Sequence, residues 1–302
     1  MKIDEILKKK RTLSFEVFPP KKGSLGIEKI FKTIDELKAL NPDYISVTYG
    51  AGGSNRNSNV EIASYIKNQA KIEALAHLTG GPSSYSDIDE IVKKLHSEGI
   101  ENILALRGDK PIDFNDDYCK TFKHATDLME YLKDEDFTLA GACYPEGHNE
   151  CESLYEDLAH MKEKEQAGAK FFVTQVFYDN EYYYRLVSEA RKAGIKSPII
   201  PGIMPLVSHK SIPSIKNMCG ASIPLDFRNM LEVYKDDPEL LEEFGINYAV
   251  YQIEDLIAKG APGIHLYIMN RASIAKKIYE RLENVFSKLF WYISYCIFLF
   301  GI

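Results

Sequence analysis

What this 302-residue chain lacks narrows its chemistry first. Its five cysteines, Cys119, Cys143, Cys151, Cys219 and Cys296, include no C-x-x-C pair and no Cys/His metal spacing. Free thiols in a reducing cytosol fit that scatter better than a disulfide frame or a zinc site. Cationic residues are in deficit: 37 Lys and Arg face 44 Asp and Glu, giving a net charge of -7 and a pI near 5.6. Beyond Lys8-Lys9-Lys10-Arg11 there is no basic run, which argues against a phosphate-facing nucleic-acid surface. No stretch reaches the ~20 apolar residues of a membrane span. Residues 1–10 alternate charged with apolar side chains, unlike a signal peptide, so a cytoplasmic location is expected. Linkers rich in Pro, Gly and Ser are missing too, so residues 1–288 are expected to form a single domain.

What is present is an alternation of short apolar or β-branched runs with amphipathic stretches. Strands are expected over 13–18, 44–48, 72–77, 102–106, 138–144, 171–175, 198–201 and 263–267. Helices are expected between them over 27–40, 58–70, 86–98, 118–133, 153–167 and 180–193, with an extra one over 238–259 and a last one over 271–288. Eight strand–helix units within about 290 residues point to the α/β class and a closed (β/α)8 TIM barrel, a fold of typically ~250 residues plus insertions. The competing open sheet is disfavoured, because no G-x-G-x-x-G follows the first strand.

The first strand carries a carboxylate, Glu16, and is stopped at once by Pro19-Pro20. On an edge strand Glu16 would face solvent, but a closed barrel has no edge. In barrels of this kind chemistry gathers at the carboxyl ends of the strands. Those ends carry Glu16, Thr48-Tyr49, His77, Arg107-Gly108-Asp109, the segment from Tyr144 to His148, Gln175, Gly202 to Pro205, and Tyr267 to Arg271. Each has a bland explanation alone, as a satisfied histidine, a turn ion pair or a loop cap. Together they suit a flat, polar-edged ligand such as a flavin, with a second ring system stacked on it.

The strings FEVFPPK at Phe15, SVTYGAGG at Ser46, HLT at His77, LRGD at Leu106, YPEGH at Tyr144, TQ at Thr174, IPGI at Ile200 and LYIMNR at Leu266 resemble the methylenetetrahydrofolate reductase family of bacteria. The resemblance implies an FAD-containing barrel that reduces 5,10-methylenetetrahydrofolate to 5-methyltetrahydrofolate in one-carbon metabolism and methionine biosynthesis. NADH or NADPH would be the donor, in ping-pong order. It implies Glu16 as the general acid that opens the one-carbon bridge, its pKa raised by desolvation among Phe15, Val17 and Phe18. Asp109 would sit between flavin and folate. Flavin contacts carried over are Thr48, Tyr49, His77, Arg107, Gly108, Asp109, Ala125, Tyr144, His148, Asp157, His160 and Lys164. Folate contacts are Glu16, Thr48, Asp109, Gln175 and Arg271. A homo-oligomer is expected, and an iron–sulfur partner subunit stays open.

Three features depart from the family pattern. Ser211 stands where the folate-side loop carries a glutamine; His160 and Glu163 replace an amide and a basic residue at the adenine end, which keeps FMN open beside FAD. The tail 289–302, LFWYISYCIFLFGI, extends past the resemblance, with packing on the barrel or a subunit interface as its first reading. The alternative function is a non-catalytic flavin-binding or regulatory barrel subunit. Glu16, Asp109 and Gln175 together favour the enzyme.

Overall fold

The computed structural model describes residues 1–20, 26–49, 56–108, 119–215 and 219–283. A short helix α1 (Ile3–Leu7) leads into β1 (Thr12–Val17), α2 (Ile27–Lys38), β2 (Tyr44–Val47), α3 (Arg56–Ser64), β3 (Glu73–Thr79), α4 (Tyr85–Ser97), β4 (Asn102–Leu106) and α5 (Ala125–Tyr131). Then follow β5 (Thr138–Cys143), α6 (Leu154–Gln166), β6 (Ala169–Thr174), α7 (Asn180–Lys192), β7 (Ile199–Ile200) and β8 (Gly202–Ile203). Three more helices, α8 (Ile212–Ser214), α9 (Leu225–Val233) and α10 (Pro238–Ala258), precede β9 (Gly263–Tyr267), and α11 covers 272–283. All described pairings are parallel, in the order β7-β6-β5-β4-β3-β2-β1-β9-β8.

The two end segments are halves of one broken strand, so the sheet closes as a (β/α)8 barrel. Pro201 has no N–H to give the ladder, and the Gly202 N–H goes to the Thr174 hydroxyl at 2.9 Å. The strand expected over 198–201 therefore does not end at its proline; it resumes and pairs with β9. Position 202 admits only glycine, because a Cβ there would lie 2.5 Å from both the Thr174 carbonyl and the Tyr267 ring.

Period-two alternation divides the strands between two cores. Phe15, Val17, Ile45, Val47, Ala74, Ala76, Ile103 and Ala105 face out and pack with helix residues such as Ile30, Ile34 and Leu37 of α2 and Ile88, Ile91 and Leu95 of α4. Tyr44, Leu75, Leu104, Ala140, Phe171, Val173 and Ile200 fill the barrel, and Ile3 of α1 plugs its floor. That plug is fixed by the Ile3 N–H donating to the buried Asn102 side chain at 2.8 Å. The polar inward positions of β1, β2, β3 and β9 lie above this layer, at the mouth.

Helix starts follow their caps. Ser84 and Asp87 form a capping box on α4, and Ser153, Asp179 and Asp237 cap α6, α7 and α10. The helix expected over 118–133 is shorter: the Asp127 carboxylate accepts the His124 N–H and sets the start of α5 at Ala125. The helix expected over 58–70 divides into α3 and a wider π-type turn, Tyr65–Ala70, closed by Lys71 at φ 62. Among the described residues no helix is long and apolar enough to cross a membrane. The tail 289–302 lies outside the described residues.

Candidate active site

β1 delivers Glu16 into the barrel, where it is 5% exposed. Phe15 and Val17 point the other way, so the surroundings expected from the local sequence are not those it meets. Its neighbours are polar: Ser46 of β2 donates to Oε2 at 3.2 Å, His77 Nε2 of β3 stands at 3.4 Å, and His265 Nε2 of β9 at 3.7 Å. Burial alone would raise the Glu16 pKa. The contact with His265, the charges of His77 and His265 when protonated, and the Ser46 hydroxyl together outweigh burial and hold the carboxyl below its ordinary value. This reverses the direction expected from sequence, because Ser46, His77 and His265, which the flanking sequence does not show, outweigh a burial that does occur. His77 is itself pushed below the usual histidine range, first by burial and then by His265, against the pull of Glu16.

His265 is 1% exposed, and its Nδ1 lies 2.8 Å from Ser14 Oγ on β1. When Ser14 donates there, the ring proton sits on Nε2 and faces Glu16. Tyr267, two residues on, stacks edge-on against His265 and donates to the Thr174 carbonyl at 2.8 Å. Sequence reasoning missed Ser14, Ser46 and His265. The available signal was parity: Ser14 shares a face with Glu16, and His265 shares one with Tyr267.

A second group gathers where β4, β5 and α6 meet. Arg107 pairs with Glu150 through a two-pronged contact, Nη1–Oε2 at 2.5 Å and Nη2–Oε1 at 2.9 Å. Tyr144 packs edge-on to His148 at 4.6 Å between centroids, and the Lys164 ammonium stands 6.0 Å from the Tyr144 ring. Lys164 donates to the Ala142 carbonyl at 2.9 Å. Burial lowers its pKa, partly offset by Asp157. Burial raises the Asp157 pKa against the pull of Lys164 and His148, and burial lowers that of His148. Gly108 adopts φ +91, and a Cβ there would meet Thr79 Cγ2 at 2.2 Å.

These residues fit a flavin nucleotide on two observations. Thr48 Oγ1, at the end of β2, is buried with no hydrogen-bond partner among the described residues. Lys164, His148 and Arg107 gather donor-bearing side chains into one group, a cradle, beside Tyr144. Two residues carried over with them stand apart from the cradle's contacts: His160 pairs with Glu163 on the exposed face of α6 at 3.0 Å and stacks on His124, and Ala125 merely opens α5. Tyr49 is buried just beyond β2. Gln175 turns its Oε1 back onto the Val176 N–H at 2.8 Å, and Arg271 reaches Glu242 of α10 at 2.5 Å. Ser211 ends a short 3-10 turn. Asp109 lies outside the described residues.

Fold and geometry together define the class: a (β/α)8 barrel with a buried, histidine-flanked carboxylate at its mouth and a cluster of Arg107, His148 and Lys164 beside it. More particularly, the chain belongs to the methylenetetrahydrofolate reductase family, whose model matches residues 2–283. It is 35% identical over 271 residues to 5,10-methylenetetrahydrofolate reductase of Escherichia coli, covering 89% of this chain and 90% of that one. It is 36% identical over 272 residues to methylenetetrahydrofolate reductase (NADH) 1 of Arabidopsis thaliana and 37% over 281 residues to methylenetetrahydrofolate reductase 1 of Schizosaccharomyces pombe, covering 85% and 91% of this chain. The chain spans about half the length of these two relatives, 46% of each. A solved structure from Clostridium thermocellum, described as binding two copies of 5-methyl-5,6,7,8-tetrahydrofolic acid, shares the fold: its TM-score is 0.61 at 20% identity, covering 92% of this chain and 98% of that one.

Proposed function

We propose that this protein reduces 5,10-methylenetetrahydrofolate to 5-methyltetrahydrofolate, with bound flavin and NADH or NADPH as donor, residues 1–288 acting as one catalytic barrel. The observation that carries the reading is Glu16: a buried carboxyl at the carboxyl end of β1, held by Ser46 and faced by His77 and His265. The reaction needs an acid, because the one-carbon bridge opens to an electrophilic iminium only when the departing nitrogen is protonated. A reduced flavin would supply the hydride.

Glu16 would deliver that proton, with Ser46, His77 and His265 grouped around its Oε2. For Glu16 to act as the acid, pterin binding would weaken the support that His265, His77 and Ser46 give the anion and so shift the carboxyl toward its protonated form. The neutral His77 leaves the ring of charge around Glu16 incomplete at neutral pH, which moves in the same direction. Arg107, Lys164, His148, Asp157, Thr48, Tyr49, Tyr144, Gly108 and Asp109 would hold the flavin. Gln175, Arg271 and Asp109 would orient the folate. Asp109 would also favour the cation as it develops.

An anaerobic half-reaction experiment tests this. The purified protein should carry a flavin spectrum, bleach with NADH or NADPH, and recover when methylenetetrahydrofolate is added. Glu16→Gln should bleach normally and fail to recover. Recovery of the mutant at the wild-type rate would remove Glu16 as the acid, and failure of the wild type to recover would sink the activity itself.

A further inference from the structure

Arg107 does not face the cradle with its charge uncompensated. Both of its terminal nitrogens are taken by the two oxygens of Glu150, in the parallel fork geometry that an arginine also offers to phosphate. Glu150 is about half exposed while Arg107 is one-fifth exposed, so the carboxylate is the partner that solvent can receive. Its backbone N–H donates to His148 Nδ1 at 3.1 Å, which places the proton of a neutral His148 on Nε2 and ties the position of the carboxylate to the cradle. A carboxylate and a phosphate oxygen make the same demand on the guanidinium. We propose that Glu150 is a resident counter-anion: it occupies Arg107 in the cofactor-free protein, and the phosphate group of the flavin nucleotide takes its place.

This rests on the flavin reading above and adds a role for a residue that reading does not use. The pair keeps Arg107 extended and ordered before loading, which lowers the entropy cost of binding. The same pair weakens loading, because one negative charge must leave the guanidinium as another arrives. Glu150, the more exposed partner, can turn into solvent while the guanidinium stays in place. Phosphate-bearing flavins should therefore bind reversibly, with an affinity set partly by Glu150.

The test is an affinity measurement on the full chain with flavin removed. Glu150→Gln keeps an acceptor for Arg107 and removes the charge. It should bind FAD and FMN about tenfold more tightly by fluorescence quenching, with riboflavin, which has no phosphate, unchanged. Inorganic pyrophosphate should raise the melting temperature of Glu150→Gln more than that of wild type, and the salt dependence should be steeper in the mutant. In an Arg107→Gln background the Glu150 substitution should have no effect. Unchanged or weaker binding of both FAD and pyrophosphate in Glu150→Gln would overturn the proposal. Tighter pyrophosphate binding with no flavin binding in either protein would keep the counter-anion and sink the flavin reading instead.

Discussion

Asn270 holds the end of β1 through both arms of its side-chain amide: Oδ1 accepts from the Phe18 N–H at 2.8 Å, and Nδ2 donates to the Phe18 carbonyl at 2.9 Å. The side chain thus imitates a strand partner at the point where Pro19 and Pro20 end the ladder. It also fixes the stretch between Glu16 and Arg271, two residues assigned to one ligand. Asn270 and Met269 both have positive φ, 58 and 49, so the turn is held in the left-handed region by that amide. Asn270→Ala should lose about 1–3 kcal/mol from the two bonds and about 1 kcal/mol from Ala at positive φ. Asn270→Gly should lose only the first part. Denaturant titration of the three proteins separates the contributions; equal losses would mean the backbone is not strained.

Ser46 stabilises the ionised form of Glu16, since its hydroxyl donates to Oε2. Ser46→Ala removes that donor, so the Glu16 pKa should rise. An acid is lost as pH rises through its pKa. The falling limb of the folate half-reaction should accordingly move to higher pH in the mutant, with flavin reduction by NAD(P)H unaffected. Movement to lower pH would contradict the assignment of Glu16 as the proton donor.

His77 makes a separate, stability-based prediction. Burial, with His265, depresses its pKa below the ordinary 6.5 despite Glu16. The unfolded chain then binds more protons than the folded one below that value, so stability is full above about pH 6.5 and falls as the pH drops toward the folded pKa. His77→Gln cannot titrate. Between pH 7 and 5 the wild type should lose more stability than the mutant, by up to about 1.4 kcal/mol for each pH unit crossed between the unfolded and the folded pKa. The depressed pKa of Glu16 acts in the same sense only below about pH 4.3, outside this interval. The contribution of His148 is common to both proteins and cancels in the comparison. Equal pH profiles for the two proteins would contradict a neutral, buried His77.

The barrel was legible because alternation of strand and helix leaves a long-range trace in apolar spacing, and all eight strands fall where that spacing put them. The break at Pro201 was not, because a proline reads as a strand end unless its neighbour's N–H is known to have a side-chain partner. Glu16 was legible as a carboxylate at a strand end. Its pKa direction was not, since the groups that outweigh its burial, Ser46, His77 and His265, are 30, 61 and 249 positions distant. The Arg107–Glu150 pair was hidden for the same reason: its partners come from different strand ends, 43 residues apart.

Gly108 gives the sharpest geometric test at the mouth. Its φ of +91 disfavours any L side chain, and a Cβ would press 2.2 Å from Thr79 Cγ2. Gly108→Ala should therefore cost about 1–2 kcal/mol for the backbone and about 1–3 kcal/mol for overpacking. Thr79→Ser deletes the offending methyl and keeps the hydroxyl. Adding it to Gly108→Ala should recover the overpacking part and leave the backbone part, so the two substitutions should be strongly non-additive. Because Gly108 adjoins Arg107, the single mutant should also weaken pyrophosphate binding, and Thr79→Ser should restore that affinity to the extent that it restores the backbone. A double mutant no more stable than Gly108→Ala would place the whole cost in φ, and the close approach of β4 to β3 at this point would then carry none of it.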